Sequence, residues 1–215
     1  MATFWDKRAR QYDNKVSEHG TLYDKTIEAS KSLLQNSDVV LDFACASGEM
    51  SLDLAAHVER IHGIDQSGKM IEIALGKSRD RDVKNASFDQ MEAFDPSLEE
   101  GSFSAILAFS IFHLLEDPPK ALTRLSDLLA TGGMIISETP CLGERSWLFR
   151  TFVNLAQKSG LAPAIRSFTV DELEALFSDS NFEILNSKVW DEKSALQWIA
   201  ARKSQQTNGL TPTVM

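Results

Sequence analysis

Five small residues in a row, Ala44, Cys45, Ala46, Ser47 and Gly48, follow the apolar run VVLDF and precede a helical stretch that starts near Glu49. Small side chains at a strand-to-helix turn leave backbone N–H groups open to a ligand. About twenty residues further on, Asp65 ends a second apolar run, where a carboxylate can accept from both hydroxyls of an adenosine ribose. Together the turn and the acid read as a nucleotide-like site. Taken singly, the turn also serves in many α/β proteins merely to pack a helix on a strand. His113, in SIFHLLED, follows the apolar run FSAILAF. An imidazole there can act as a general base toward an oxygen or nitrogen nucleophile, shape a pocket, or sit as a hydrogen-bonded structural group.

These residues need a scaffold, and the hydrophobic pattern supplies one. VVLDF (39–43), RIHGID (60–65), ASF (86–88), FSAILAF (103–109) and GMIISE (133–138) read as strands alternating with helical stretches, the pattern of a parallel α/β sheet. Two helices, 3–17 and 21–35, precede the first strand. Ser67 is placed to cap SGKMIEIALGKS, and Asp117 followed by Pro118 opens PPKALTRLSDLLA, which Gly132 closes. Thr169 with Glu172 matches a capping box, and FEILNSKVW then SALQWIAARK read as a final antiparallel pair. Residues 204–215 read as a disordered tail.

Composition bounds the possibilities. With 215 residues and 43% hydrophobic content the chain can bury one sizeable core, so one domain over residues 1–203 is expected. Its 22 Lys and Arg against 31 Asp and Glu leave a net charge of −9 and no dense basic run, which argues against a nucleic-acid or anionic-membrane partner. The opening MATFWDKRARQYD lacks an apolar signal core and no stretch is long enough to span a bilayer, so a cytoplasmic location is expected. Cys45 and Cys141 are the only cysteines, far apart and without ligand spacing, so reduced thiols and no metal are expected.

LDFACASGEMSL resembles the first motif of class I S-adenosylmethionine-dependent methyltransferases, usually LDxGCGTG. FWDKRARQYD is similar to the N-terminal cap of small-molecule members, IHGIDQSGKMIEIA to their ribose-binding segment, and GSFSAILAFSIFHLLEDPPKALTRLSDLLATGGMIISE to their fourth strand through fifth. The resemblance implies a Rossmann-like α/β fold of seven mostly parallel strands with flanking helices and an antiparallel last strand. It implies S-adenosylmethionine as co-substrate and a small-molecule methyl acceptor. Asp42 and the turn Ala44, Cys45, Ala46 to Gly48 would face the methionine half of that cofactor, with Phe109 beside them. Asp65 would take the ribose, with Gln66 and Met70 beside the adenine. Glu92, where relatives usually carry Asp before Ala, would accept from the adenine amino group, and the Ala93 N–H would reach a ring nitrogen; an ordinary solvated loop carboxylate is the other reading of Glu92. Residues 1–36 would form cap helices in which Trp5, Lys7, Arg8 and Tyr12 close over the cofactor, a cation near its carboxylate and Tyr12 near its sulfonium. A solvated amphipathic helix explains those four equally well. Two positions depart from the family: Ala44 and Ala46 stand for its first two glycines, and Ala46 would strain the backbone if the turn needs positive φ there.

A sulfonium methyl is already activated, so transfer needs an aligned nucleophile more than a covalent partner on the protein. Residues 140–168, rich in Trp147, Leu148, Phe149, Phe152, Val153 and Leu155, form a candidate lid over an apolar or aromatic acceptor. Core packing or a homodimer contact would use the same aromatic stripe. Arg145, Arg150 and Arg166 can meet an anionic group on an acceptor or simply face water. Two rivals share the fold: a nicotinamide-dependent oxidoreductase, which normally needs the GxGxxG that ACASGE lacks, and a non-catalytic scaffold that binds a cofactor or a partner.

Overall fold

The computed structural model describes residues 2–17, 20–147, 151, 155, 157, 164–192 and 195–204. Three helices, α1 (Ala2–Asp6), α2 (Ala9–Ser17) and α3 (Thr21–Lys31), lead into the alternating core. That core runs β1 (Val39–Phe43), α4 (Glu49–Leu54), β2 (Arg60–Asp65), α5 (Gly68–Asp80), β3 (Ala86–Gln90), β4 (Phe103–Phe109), α6 (Pro118–Leu128) and β5 (Leu129–Pro140). Helix α7 (Val170–Asp179) and strands β6 (Phe182–Asp191) and β7 (Leu196–Lys203) complete the described elements.

The seven strands form one sheet in the order β3-β2-β1-β4-β5-β7-β6, with β7 antiparallel to both neighbours and the first five strands parallel. Strands β1 and β4 are apolar along nearly their whole length because helices cover both faces. The two-residue period sorts their side chains. Val40, Ala105, Leu107 and Ile136 join one apolar cluster with Ile27 and Leu54, while Leu41, Ile106 and Ile135 join the other with Leu122, Leu125 and Phe177. Between β1's neighbours β2 and β4 the chain reverses its direction of build, and there the carboxyl ends of the strands open a crevice.

The expected caps are present. Ser67 Oγ accepts from the Met70 N–H at 3.2 Å, Asp117 Oδ1 from the Lys120 N–H at 3.1 Å, and Thr169 and Glu172 close both halves of a capping box. Three boundaries differ from expectation. The 3–17 stretch is two helices, α1 and α2, and the next helix stops at Lys31 instead of reaching residue 35. The sixth helix ends at Leu128 because Leu129, fully buried, already pairs with Phe103 as the start of β5. Gly132, expected to close that helix, lies inside β5 at φ +76°, in the stretch where the register against β4 shifts.

The N-terminal helices are tied to the body by charge. Lys77 on α5 pairs with Asp13 of α2 and Glu49 of α4, and Arg81 pairs with Glu49 and, at 3.1 Å, with Asp53. The Tyr23 hydroxyl of α3 donates to Asp53 Oδ2 at 2.7 Å. Burial opposes the charge on Glu49, whose side chain is only 2% exposed, but Arg81 and Lys77 hold its pKa down to about 2. On α1, Asp6 Oδ1 accepts from Ser67 Oγ at 2.6 Å and from the Lys69 N–H at 3.2 Å, adding an acceptor at the start of α5. Among the described residues no helix is long and apolar enough to cross a membrane.

Candidate functional site

The turn after β1 takes a conformation that L-residues avoid. Ala44 (φ +61°), Ala46 (φ +49°) and Gly48 (φ +73°) are all left-handed. At Gly48 no other residue fits, since a Cβ would approach Ala74 Cβ and Phe88 to 2.8 Å. The two alanines carry a cost of about 1–2 kcal/mol each in this region, and the surroundings hold them in it. The Cys45 N–H donates to the Ile64 carbonyl at 3.0 Å, the Ala46 N–H to Asp65 Oδ2 at 3.1 Å and the Gly48 N–H to the Cys45 carbonyl at 2.9 Å.

Two cavities meet at this turn and share Tyr12, Ala44, Ala46, Phe109 and Ser110 as walls. The first, about 220 Å³, lies between the N-terminal helices and the ends of β1, β4 and β5, and is lined by Lys15, Tyr23, Asp42, Cys45, Glu49 and Glu138 among others. The second, about 310 Å³, extends toward β2 and is lined by Trp5, Asp65, Met70, Ile111, His113, Leu114, Pro140 and Ile165. Each is near the lower end of the volume range of small-ligand sites, and together they make a bent cleft at the carboxyl edge of the sheet.

The charges differ between the lobes. Asp42 is 2% exposed and takes a hydrogen bond from Ser51 Oγ; burial raises its pKa to about 7, and the nearby Asp65 adds to the rise. Glu138 is likewise raised to about 7 by burial, against the hydrogen bond that Thr26 Oγ1 donates to its Oε2. Tyr12 is pushed up to about 12 by burial and by the acids Asp65, Asp42 and Glu138 around it, so it remains a neutral phenol. Asp65, also raised by burial, accepts one backbone N–H on each oxygen, from Ala46 and, at 2.8 Å, from Ser67. A carboxylate has about four lone-pair sites, so each oxygen keeps room for another donor. His113 is drawn down to about 4 by burial, and its Nδ1 has no hydrogen-bond partner. It is therefore neutral at physiological pH.

The structure brings ten of the expected site residues onto the cleft: Trp5, Tyr12, Asp42, Ala44, Cys45, Ala46, Asp65, Met70, Phe109 and His113. Gly48, Gln66, Glu92 and Ala93 line neither lobe. Gly48 is packed toward Phe88, and Gln66 is exposed with its carbonyl accepting from Gln90 Nε2. Glu92 is exposed, and Ala93 is buried in the core with its carbonyl accepting from Arg124 Nε. Lys7 lines neither lobe and Arg8 stacks its guanidinium 3.8 Å from the Phe4 ring centroid, so the cation in the first lobe is Lys15. Lys15, Tyr23 and Glu138 were not singled out by sequence; Glu138 carries the one available signal, a carboxylate at the end of an apolar strand.

Part of the candidate lid lies outside the described residues, including Leu148, Phe149, Arg150, Phe152 and Val153, as do residues 205–215 of the expected tail. At its near end Trp147 is exposed, and at its far end Ile165 lines the second lobe while the Arg166 N–H donates to the His113 carbonyl at 2.7 Å. The Arg166 guanidinium donates to the Glu116 carbonyl at 3.1 Å. Cys45 and Cys141 are free and buried, and among the described residues no group of three or more His, Cys, Asp or Glu is placed to hold a metal ion.

Comparison with known proteins decides the family. Residues 34–205, well over half of the chain, match the family described as methyltransferase domain. The chain belongs to that family. It is a class I S-adenosylmethionine-dependent methyltransferase, and its strand order is the one this class implies. The uncharacterized methyltransferase YcgJ of Bacillus subtilis is 24% identical over 196 residues, covering 88% of this chain and 74% of its own. The crystal structure of YcgJ superposes with a TM-score of 0.69 at 16% identity, covering 85% of this chain and 99% of that one. An S-adenosylmethionine-dependent methyltransferase from Thermotoga maritima gives a TM-score of 0.71 at 21% identity, covering 95% and 100% of the two chains. The aklanonic acid methyltransferase DauC of a Streptomyces species is 33% identical over 104 residues, 47% of each chain.

Proposed function

We propose that this methyltransferase acts on a small-molecule acceptor, apolar or aromatic, that reaches the cofactor from the His113 side of the cleft. The observation that carries the reading is the division of the cleft at the Ala44–Ala46 turn into an acidic lobe and a largely apolar lobe walled in part by the His113 side chain. A relative named for aklanonic acid, a small molecule, supports the acceptor class.

The residues present fit S-adenosylmethionine. Asp65 has lone pairs left for two ribose hydroxyls, Met70 offers an apolar side chain for the adenine, and the left-handed turn holds its backbone against the lobes. Lys15 would meet the methionine carboxylate, and the neutral Tyr12 phenol, lining both lobes, would lie against the sulfonium. When bound, the cofactor supplies an electrophilic methyl on sulfur. Trp5, Ile111, Leu114 and Pro140 exclude water from the place where a nucleophile must align. His113 would accept the acceptor's proton at its imidazole or orient the acceptor through a hydrogen bond; a neutral imidazole is the form that can do either.

Calorimetric titration with S-adenosylmethionine, followed by a panel of phenolic, amine and carboxylate acceptors scored by release of S-adenosylhomocysteine, tests the proposal. Cofactor binding with turnover on one neutral apolar class is expected. Turnover confined to macromolecular acceptors, or to small acceptors without an apolar or aromatic body, would overturn the acceptor assignment.

A further inference from the structure

Glu138 has no role in the cleft as described so far. It is the tenth residue of β5, and the period of the strand puts it on the same face as Ile136 and hence on the face that α3 and α4 cover. Asp42 reaches that face from β1, with Phe109 of β4 between them, since β4 pairs with both β1 and β5 and Phe109 stands opposite Glu138. Both carboxyls are more than nine-tenths buried, and both line the 220 Å³ lobe. Each accepts one hydroxyl, Ser51 to Asp42 and Thr26 to Glu138, and among the described residues neither is paired with a Lys or Arg. Thr26 is itself fully buried, so α3 holds the Glu138 carboxyl by Oε2, and Oε1 has no hydrogen bond from any of the described residues. A carboxyl kept this far from water without a cation is costly unless something with a positive charge arrives.

We infer that Glu138 receives the amino group of the cofactor's methionine half, so that the first lobe selects ligands bearing an α-ammonium. The inference rests on the cofactor reading above. It makes Thr26 a positioning residue, fixing the carboxyl from the α3 side. Binding of an ammonium to the protonated acid would release one proton to solvent and leave the Glu138 carboxylate paired with the ammonium. Tyr12, Lys15, Tyr23, Asp42, Cys45 and Glu49 face the same lobe, and of these Asp42 titrates in the same range. The variant, not the parent's pH profile alone, therefore assigns the proton.

The test is calorimetry near pH 7 with two ligands, S-adenosylhomocysteine and 5′-methylthioadenosine, which lacks the amino-acid end. Glu138→Gln should weaken S-adenosylhomocysteine about tenfold or more, the worth of a charged hydrogen bond, and leave 5′-methylthioadenosine within about twofold. Titrations in buffers of different ionisation enthalpy should show proton release with S-adenosylhomocysteine in the parent and less in Glu138→Gln. Thr26→Val should produce a smaller loss confined to S-adenosylhomocysteine, and serves if Glu138→Gln does not fold. Equal loss for both ligands, or no loss for either, overturns the assignment while leaving the cofactor reading in place. A parent chain that binds neither ligand overturns the cofactor reading and this inference with it.

Discussion

The lobe between the N-terminal helices and the ends of β1 and β5 is walled by Asp42, Glu49, Glu138 and Tyr23, whereas the lobe toward β2 is walled mostly by Trp5, Met70, Ile111, Leu114 and Pro140. They share the same turn, yet their walls are held by different forces. In the acidic lobe, hydrogen bonds and ion pairs from four helices position the side chains: Asp13 from α2, Tyr23 and Thr26 from α3, Glu49 from α4 and Lys77 from α5. In the apolar lobe packing positions most of the walls, the Asp65 carboxylate apart, and His113 Nδ1 is buried without a hydrogen-bond partner among the described residues. On the proposed function, the difference would separate recognition from reaction. A lobe lined by polar and charged groups would discriminate what binds, and an apolar lobe would leave room for an acceptor.

Removing the charge at the centre of the acidic wall should have the largest effect. Glu49→Gln is expected to destabilise the fold by about 3 kcal/mol near neutral pH, because it leaves Lys77 and Arg81 short of a buried partner. Sign follows from the lowered pKa: the carboxylate's contribution is fully present above its unfolded value near 4.3 and fades as pH falls toward about 2. Thermal melts of parent and variant should therefore converge in strong acid. Parallel curves at every pH would show that the ion pairs do not hold this wall.

Next in size is the apolar lobe. His113→Ala should cut turnover about a hundredfold or more once an acceptor is known, with cofactor affinity unchanged. Because burial holds the imidazole near pKa 4, the parent's acidic limb should lie near pH 4 and not near 7. His113→Gln recovering part of the rate would mean orientation, and a fall in melting temperature with turnover kept within a few-fold would make the residue structural.

Asp65→Ala should weaken S-adenosylmethionine about tenfold or more. It also frees the Ala46 and Ser67 N–H groups, so Asp65→Asn, which keeps an acceptor oxygen, should lose less. Unchanged affinity in a folded Asp65→Ala variant would place the ribose elsewhere and erase the distinction between the lobes.

The smallest expected effect is at the turn they share. Ala46→Gly should bind the cofactor at least as tightly and, with φ at +49°, gain up to about 1 kcal/mol in stability, since relief of the left-handed alanine outweighs the added unfolded-state entropy. A loss of affinity would make the Ala46 methyl a productive contact.

The alternation of strands and helices and the placement of Asp65 were legible because Asp65 ends an apolar run, and a strand's carboxyl end is where this fold binds ligands, whereas the seven-stranded arrangement and the places of Asp42 and Phe109 came from the family resemblance. The same reasoning had the signal for Glu138 but no reason to use it: only tertiary packing brings Thr26, 112 positions earlier, onto its carboxyl. Lys15 was passed over for Lys7 and Arg8 because helix breaks between α1 and α2 rotate which residues face inward, and composition does not mark that break. Glu92 and Ala93 were placed by family position alone; Ala93 is buried with its carbonyl accepting from Arg124 Nε, and Glu92 beside it stays exposed.

Asp6 ties one consequence to the rest. Its single Oδ1 both fastens α1 to the body and completes the first turn of α5, accepting from Ser67 and Lys69 just after Asp65 and Gln66. Any swing that lifts Trp5 and α1 off the apolar lobe must therefore loosen the Lys69 amide in the same motion. Hydrogen exchange at that amide becomes a clock for the entrance: ligand that seals the cleft should slow it, and the rate in the empty protein reports how often the door stands open.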